Sequence, residues 1–214
     1  MIGRVNVCGL LLVPIVLFPA STFSMTGDYP DETLPREIPV APYHGETYEA
    51  VVPDTLDLAE HAELAINVLT RCLAPEYDYE LYDLLDLSIN PPTLMSGGGY
   101  INLNPKWAEA LPRLRVMTGS TTNLDVDGKL IASLVHATGK DGLCYYPVEG
   151  RPWAFFEEAT RKIGKPYADV FGEGRQLLAY AVWYQHDANP LWKELAERKI
   201  RRLTELTLRK DDTL

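Results

Sequence analysis

Leu111-Pro-Arg-Leu-Arg-Val-Met-Thr-Gly-Ser-Thr-Thr-Asn123-Leu-Asp-Val-Asp-Gly-Lys-Leu-Ile-Ala-Ser-Leu134 runs from an apolar helical pattern through a short polar turn into a second apolar run. The theme recurs as Leu177-Leu-Ala-Tyr-Ala-Val-Trp-Tyr-Gln-His-Asp-Ala-Asn189-Pro-Leu-Trp-Lys-Glu-Leu195. In each copy the second helix is expected to start from a cap, Asn123 or Asn189, because an Asn side chain accepts from the free N–H groups of a first helical turn. Recurring helix–turn–helix units cannot bury their apolar faces alone, so they stack into bundles, solenoids or rings. The repeat points to an architecture and leaves the chemistry open.

Working outward, the first helix is expected from an Asp54 cap, with Asp57 three residues on and an apolar 3.6-residue period through Leu73. A second helix is expected near Tyr79–Leu87, ended by Asn90-Pro-Pro92. Ser96-Gly-Gly-Gly99 reads as a flexible break that opens no helix and lacks the Lys-Ser/Thr of a phosphate loop. Asn104 caps a helix over Pro105–Met117, closed by Gly119. The next helix covers about Asp125–Thr138 with Gly139 as its stop, and a short β segment follows near Leu143–Tyr146. A short helix is expected over Trp153–Ile163. Gly172–Gln185 carries almost no polar face, which predicts a helix buried on all sides; Pro190–Leu208 is amphipathic. An inner buried helix, a turn and an outer amphipathic helix make the α/α hairpin of a toroid. The expected class is therefore all-α, with about three hairpins.

Composition narrows the partners. The 214 residues are 46% apolar and 23% charged, as in a globular chain, with a net charge of −10. An acidic body argues against nucleic acid, which needs clustered Lys and Arg. The basic turn Arg198-Lys-Ile-Arg-Arg202 reads as a solvated face near a helix C-terminus. Residues 1–24 have the charge, apolar run and small residues of a signal peptide, or are a spurious extension before a true start at Met25. The first reading implies a secreted or periplasmic protein and the second a cytoplasmic one. The proline-rich segment 25–53 reads as an extended arm, and 54–210 as the α/α hairpin domain. No segment is long and apolar enough for a membrane span. Cys72 and Cys144 are expected to be buried thiols, with a disulfide between them as the alternative. No Cys or His spacing fits a zinc site, and no cofactor is expected.

Three segments carry a resemblance: Ala110–Ser120, Asp141–Trp153 and Tyr184–Trp192. They resemble parts of the six-hairpin glycosidase-like superfamily, over about Pro53 to Leu208. The resemblance implies an (α/α)6 toroid and action on carbohydrate. This chain supplies about half the hairpins of a full ring, so the resemblance implies self-association or a missing C-terminal half.

Glycoside hydrolysis uses two carboxyl groups, and helical rings place their clefts in the loops at one end of the inner helices. Two loops qualify. One is Glu76-Tyr-Asp-Tyr-Glu80, where Tyr77 and Asp78 are candidates for substrate binding. The other holds Asp141 and Glu149 as candidate proton donor and partner, Arg151 as an anchor for an acidic sugar, and Trp153 and Tyr145 as stacking surfaces. Each has a plainer reading: Asp141-Gly142 as a tight turn, Glu149 and Arg151 as a mutual pair, Trp153 as core. His61, His136 and His186 read as surface, packing or turn residues. The sequence supports a carbohydrate-active, glycoside-hydrolase-like protein, with a non-catalytic helical scaffold or carbohydrate-binding remnant as the alternative.

Overall fold

A computed structural model describes residues 29–45, 57–87, 90, 92–95, 99–148, 150–151, 156–157, 162–163 and 166–207. The chain is mostly helical, and no helix among the described residues is long and apolar enough to cross a membrane. The leader, Met25, Glu149 and Trp153 lie outside the described residues.

Helix α1 spans Leu58–Arg71 and starts at Asp57, not Asp54; the Asp57 carboxylate accepts from Ala59 N at 2.8 Å and Glu60 N at 3.2 Å. The helix expected at 79–87 does not form. Asp78 and Tyr79 both take the left-handed conformation, at φ 58°, and turn the chain back on itself. Strand β1 (Leu73–Ala74) therefore pairs antiparallel with β2 (Glu80–Leu81), and β3 (Leu84–Asp86) pairs with β4 (Thr93–Met95). A short helix α2, Gly99–Asn102, opens directly from the glycine break that was expected to open none.

Helix α3 runs from Asn104 to Thr118. Asn104 is not its cap: the side chain is buried, accepting from Leu81 N at 3.1 Å and donating to the Tyr79 carbonyl at 2.9 Å. It serves backbone groups of the β1–β2 turn, which outranks capping because a buried unpaired amide is costly. Gly119 closes α3 in the left-handed conformation, as the sequence suggests.

The turn into α4 (Asp125–His136) is held from inside. Arg115, fully buried, pairs in two places with Asp127: Nε to Oδ2 at 3.0 Å and Nη2 to Oδ1 at 2.7 Å. Its Nη1 donates to the carbonyls of Ser120 and Thr122. Asn123 donates to Thr70 Oγ1 at 2.9 Å, and α4 has no side-chain cap. The second copy follows expectation: α5 (Val170–Asp187) ends at left-handed Ala188, and Asn189 accepts from Leu191 N at 3.0 Å to start α6 (Pro190–Leu206).

The described residues thus hold two helix–turn–helix units, α3–α4 and α5–α6, with α1 packed on α3 and α3 on α5. The helix buried on all sides is α4, not α5. Eight of its twelve residues are buried, among them Leu130, Ile131, Leu134 and Val135. Residues 29–45, without regular secondary structure, cover it: Leu34 and Ile38 join the core, and Tyr43 donates to Asp127 at 2.8 Å. A Cβ on Gly128 would stand 2.8 Å from the Ile38 carbonyl, so this approach requires glycine. Helix α5 buries Tyr180 and Trp183 but exposes Val170, Phe171, Leu178 and Tyr184, with Lys106 of α3 standing over the Phe171 ring.

The expected 143–146 strand is reduced to two isolated bridges, Thr138 with Cys144 and Tyr146 with Tyr167. Where a helix was expected over 153–163, β5 (Phe156–Glu157) pairs antiparallel with β6 (Lys162–Ile163). Cys72 and Cys144 are free thiols. The basic turn of α6 is not a solvated face throughout: Lys199 is fully buried against Glu173.

Candidate functional site

The structure separates the sequence-predicted residues into two groups. Tyr77, Asp78 and Arg151 come together around the turn between β1 and β2. Asp141 and Tyr145 sit at the turn after α4, beside α6. Glu149 and Trp153 belong to the unassigned part of the second loop.

The first group is built on the left-handed pair Asp78–Tyr79, which faces the Asp78 carboxylate toward α2 and the end of α4. Tyr100 Oη donates to Asp78 Oδ2 at 2.6 Å, and His136 Nδ1 lies 3.0 Å from both carboxylate oxygens. The opposite ring nitrogen, His136 Nε2, faces the Arg36 carbonyl of the arm at 2.9 Å. With acceptors at both nitrogens, only the imidazolium satisfies both contacts. Burial, the largest influence, pushes the His136 pKa down, but the Asp78 carboxylate and the Arg36 carbonyl together carry it above its ordinary value. Asp78 keeps a third of its side-chain surface open to solvent, 34%.

Beside Asp78, Glu80 is wholly buried. Its Oε2 accepts from Arg151 Nε at 2.6 Å and its Oε1 from Tyr146 Oη at 3.0 Å. Arg151 Nη2 donates to the Tyr77 carbonyl at 3.1 Å, and its guanidinium carbon stands 5.1 Å above the Tyr100 ring. Arg151 therefore closes the two nominated loops onto each other, and its partner is Glu80. Burial first, and then the Asp78 carboxylate, raises the Tyr100 hydroxyl well above its ordinary pKa, so Tyr100 acts as a neutral donor. The result is a partly open carboxylate in contact with both an imidazolium and a phenol. The cluster can accept from hydroxyl groups at Asp78 and supply a proton from His136.

In the second group Asp141 forms the tight turn of its plainer reading. Its Oδ1 accepts from Leu143 N at 3.1 Å, and Gly142 has φ +88°. A Cβ on Gly142 would stand 2.9 Å from the Arg198 backbone, so α6 leaves no room there. Asp141 Oδ2 accepts from Tyr145 Oη at 2.6 Å. Tyr145 is buried against Tyr29, at a centroid distance of 5.3 Å, and offers no open stacking face.

His136 and Tyr100 are the residues that sequence reasoning missed. Both lie in helical segments, and their polar partners, in the arm, the β1–β2 turn and, for Tyr100, the Ser133 carbonyl of α4, are distant in sequence or hidden within a helix. Among the described residues no group of His, Cys, Asp and Glu is arranged to hold a metal ion. Compared with known proteins, the chain matches no family model, no curated protein and no solved structure.

Proposed function

We propose that the chain is a carbohydrate-active, glycoside-hydrolase-like protein, part of an (α/α) toroid, with the Asp78 cluster as its sugar-binding centre. The observation that carries the reading is the partly open Asp78 carboxylate, set among Tyr77, Tyr100 and Arg151. A carboxylate beside a tyrosine suits a pyranose: Asp78 accepts from its hydroxyls, and the half-buried Tyr77 offers an apolar ring face to its C–H groups, whereas the Tyr100 ring is buried under Arg151. Asp78 binds the sugar in this reading, and His136 or Glu149, two positions before Arg151 in the sequence, supplies the proton. The resemblance of three segments to six-hairpin proteins supports the ring.

A second reading, a scaffold without catalysis, also has an observation in its favour. Glu80 is satisfied by Arg151 and Tyr146, and Asp141 by Tyr145 and the Leu143 amide, as structural carboxylates are. One experiment separates them. Wild type, Asp78→Asn, His136→Gln and Glu149→Gln are assayed for binding and cleavage against a polysaccharide panel. The carbohydrate reading expects wild-type binding that Asp78→Asn weakens at least about tenfold, the loss of one charge-assisted hydrogen bond. Cleavage should vanish in Glu149→Gln or His136→Gln while the fold stays intact. A wild type that neither binds nor cleaves any glycan leaves the scaffold.

A further inference from the structure

A groove of about 440 Å³ lies away from Asp78, between the turn after α4 and the C-terminal half of α6; Lys140, Asp141, Arg198, Arg201, Arg202 and Glu205 line it. Four cations against two carboxylates is a local reversal of sign in a chain of net charge −10. Each carboxylate is already engaged. Asp141 accepts from Tyr145 Oη and Leu143 N, and Glu205 Oε2 from Arg202 Nη1 at 3.2 Å. Arg198 is spent on the fold, donating to Asp31 Oδ2 at 2.8 Å and to the carbonyls of Gly139 and Lys140.

Two further arginines line the groove. Arg202 Nε makes no hydrogen bond but is ion-paired with Asp141 Oδ2 at 3.6 Å, and its Nη1 with Glu205. Arg201 is exposed on the neighbouring position of α6 and makes no hydrogen bond or ion pair among the described residues. Both carboxylates of the groove contact Arg202, so Arg201 presents an unengaged fork beside it, and an Arg fork suits planar or tetrahedral oxyanions.

We infer that this groove is an oxyanion-binding site, with Arg202 and Arg201 as its donors. Its ligand class is a phosphate, a sulfate or the carboxylate of an acidic sugar. The site is separate from the Asp78 cluster, and it stands or falls without the carbohydrate reading.

Isothermal titration with inorganic phosphate, sodium sulfate and glucuronate, each run separately, tests it and identifies the source of the anion. Saturable binding of at least one is expected, weakened at least about tenfold in both Arg202→Gln and Arg201→Gln, the equivalent of one charged hydrogen bond. Melting temperatures report whether each variant folds; if Arg202→Gln does not, the exposed Arg201→Gln decides alone. Binding of phosphate or sulfate without glucuronate identifies a phosphate or sulfate site, and the reverse an acidic-sugar site. No saturable binding of any of the three, or the same affinity in folded variants, overturns the proposal.

Discussion

Both nitrogens of His136 face oxygen, so its proton is part of the structure. The folded pKa is raised above the ordinary His value of about 6.5. The sign follows: the contribution to stability is fully present below the unfolded pKa and is lost as pH rises through the raised folded value. Unfolding free energies of wild type and His136→Gln, compared from mildly acidic to alkaline pH, should differ most at the acidic end and converge above the folded pKa. A gap that does not narrow with rising pH would show that the proton is not what holds the contact. Single residues of this kind were the least legible in the sequence. Periodicity places His136 on α4 and Tyr100 on α2, but the groups that give them a role are Arg36 and Asp78, far away in the chain. Asp141 was legible only as a turn, because Asp-Gly is a local signal. Asn104 misled for the same reason: a cap signal is local, and the buried backbone of the β1–β2 turn claimed the amide first.

At the scale of elements, α5 and α6 are joined by the Lys199–Glu173 pair. Glu173 also accepts from Cys144 N at 2.8 Å, which ties the turn after α4 to the same point. Burial raises the Glu173 carboxyl above its ordinary pKa, against the pull of Lys199 and the Cys144 amide. Removing one member of such a pair leaves an uncompensated buried charge and costs about 3–5 kcal/mol. Lys199→Met should therefore lose that much in chemical denaturation. Lys199→Met with Glu173→Gln should recover much of it, because the amide still accepts from Cys144 and carries no charge. A double variant no more stable than the single one would show that packing around Lys199, not charge, is what matters. The helices themselves were legible wherever their ends carried strong signals, as at Gly119 and Asn189. They were misread at 79–87, where two consecutive left-handed residues, neither of them glycine, turn an apparent helix into a hairpin. No pattern of apolar spacing encodes that turn.

For the whole molecule, the exposed side of α5 is the surface on which the proposed half-ring would associate. Val170, Phe171, Leu178 and Tyr184 lie on it, and Gly174 has open space where a side chain would be. Exposed apolar stripes of this length drive association. Sedimentation at increasing concentration should show self-association that Leu178→Lys with Tyr184→Lys abolishes, with a change in stability of no more than about 0.5 kcal/mol because both sites are exposed. A wild type that stays monomeric throughout would count against an open ring. The helical class was legible from the repeat; the identity of the inner helix was not, because α4 is covered by an arm whose apolar residues, Leu34 and Ile38, are too few to read as an element. That arm also has a consequence for how the chain is made. Its bonds span 100 residues from Arg36 to His136, 145 from Ala41 to His186 and 167 from Asp31 to Arg198. Contacts so distant close slowly. During synthesis the arm leaves the ribosome before α4, and its last partner, α6, is made long after. For that interval Leu34 and Ile38 are bare, and so is the face of α4 that they will cover. Full docking of the arm thus waits for α6, and until then these bare apolar surfaces expose the nascent chain to aggregation.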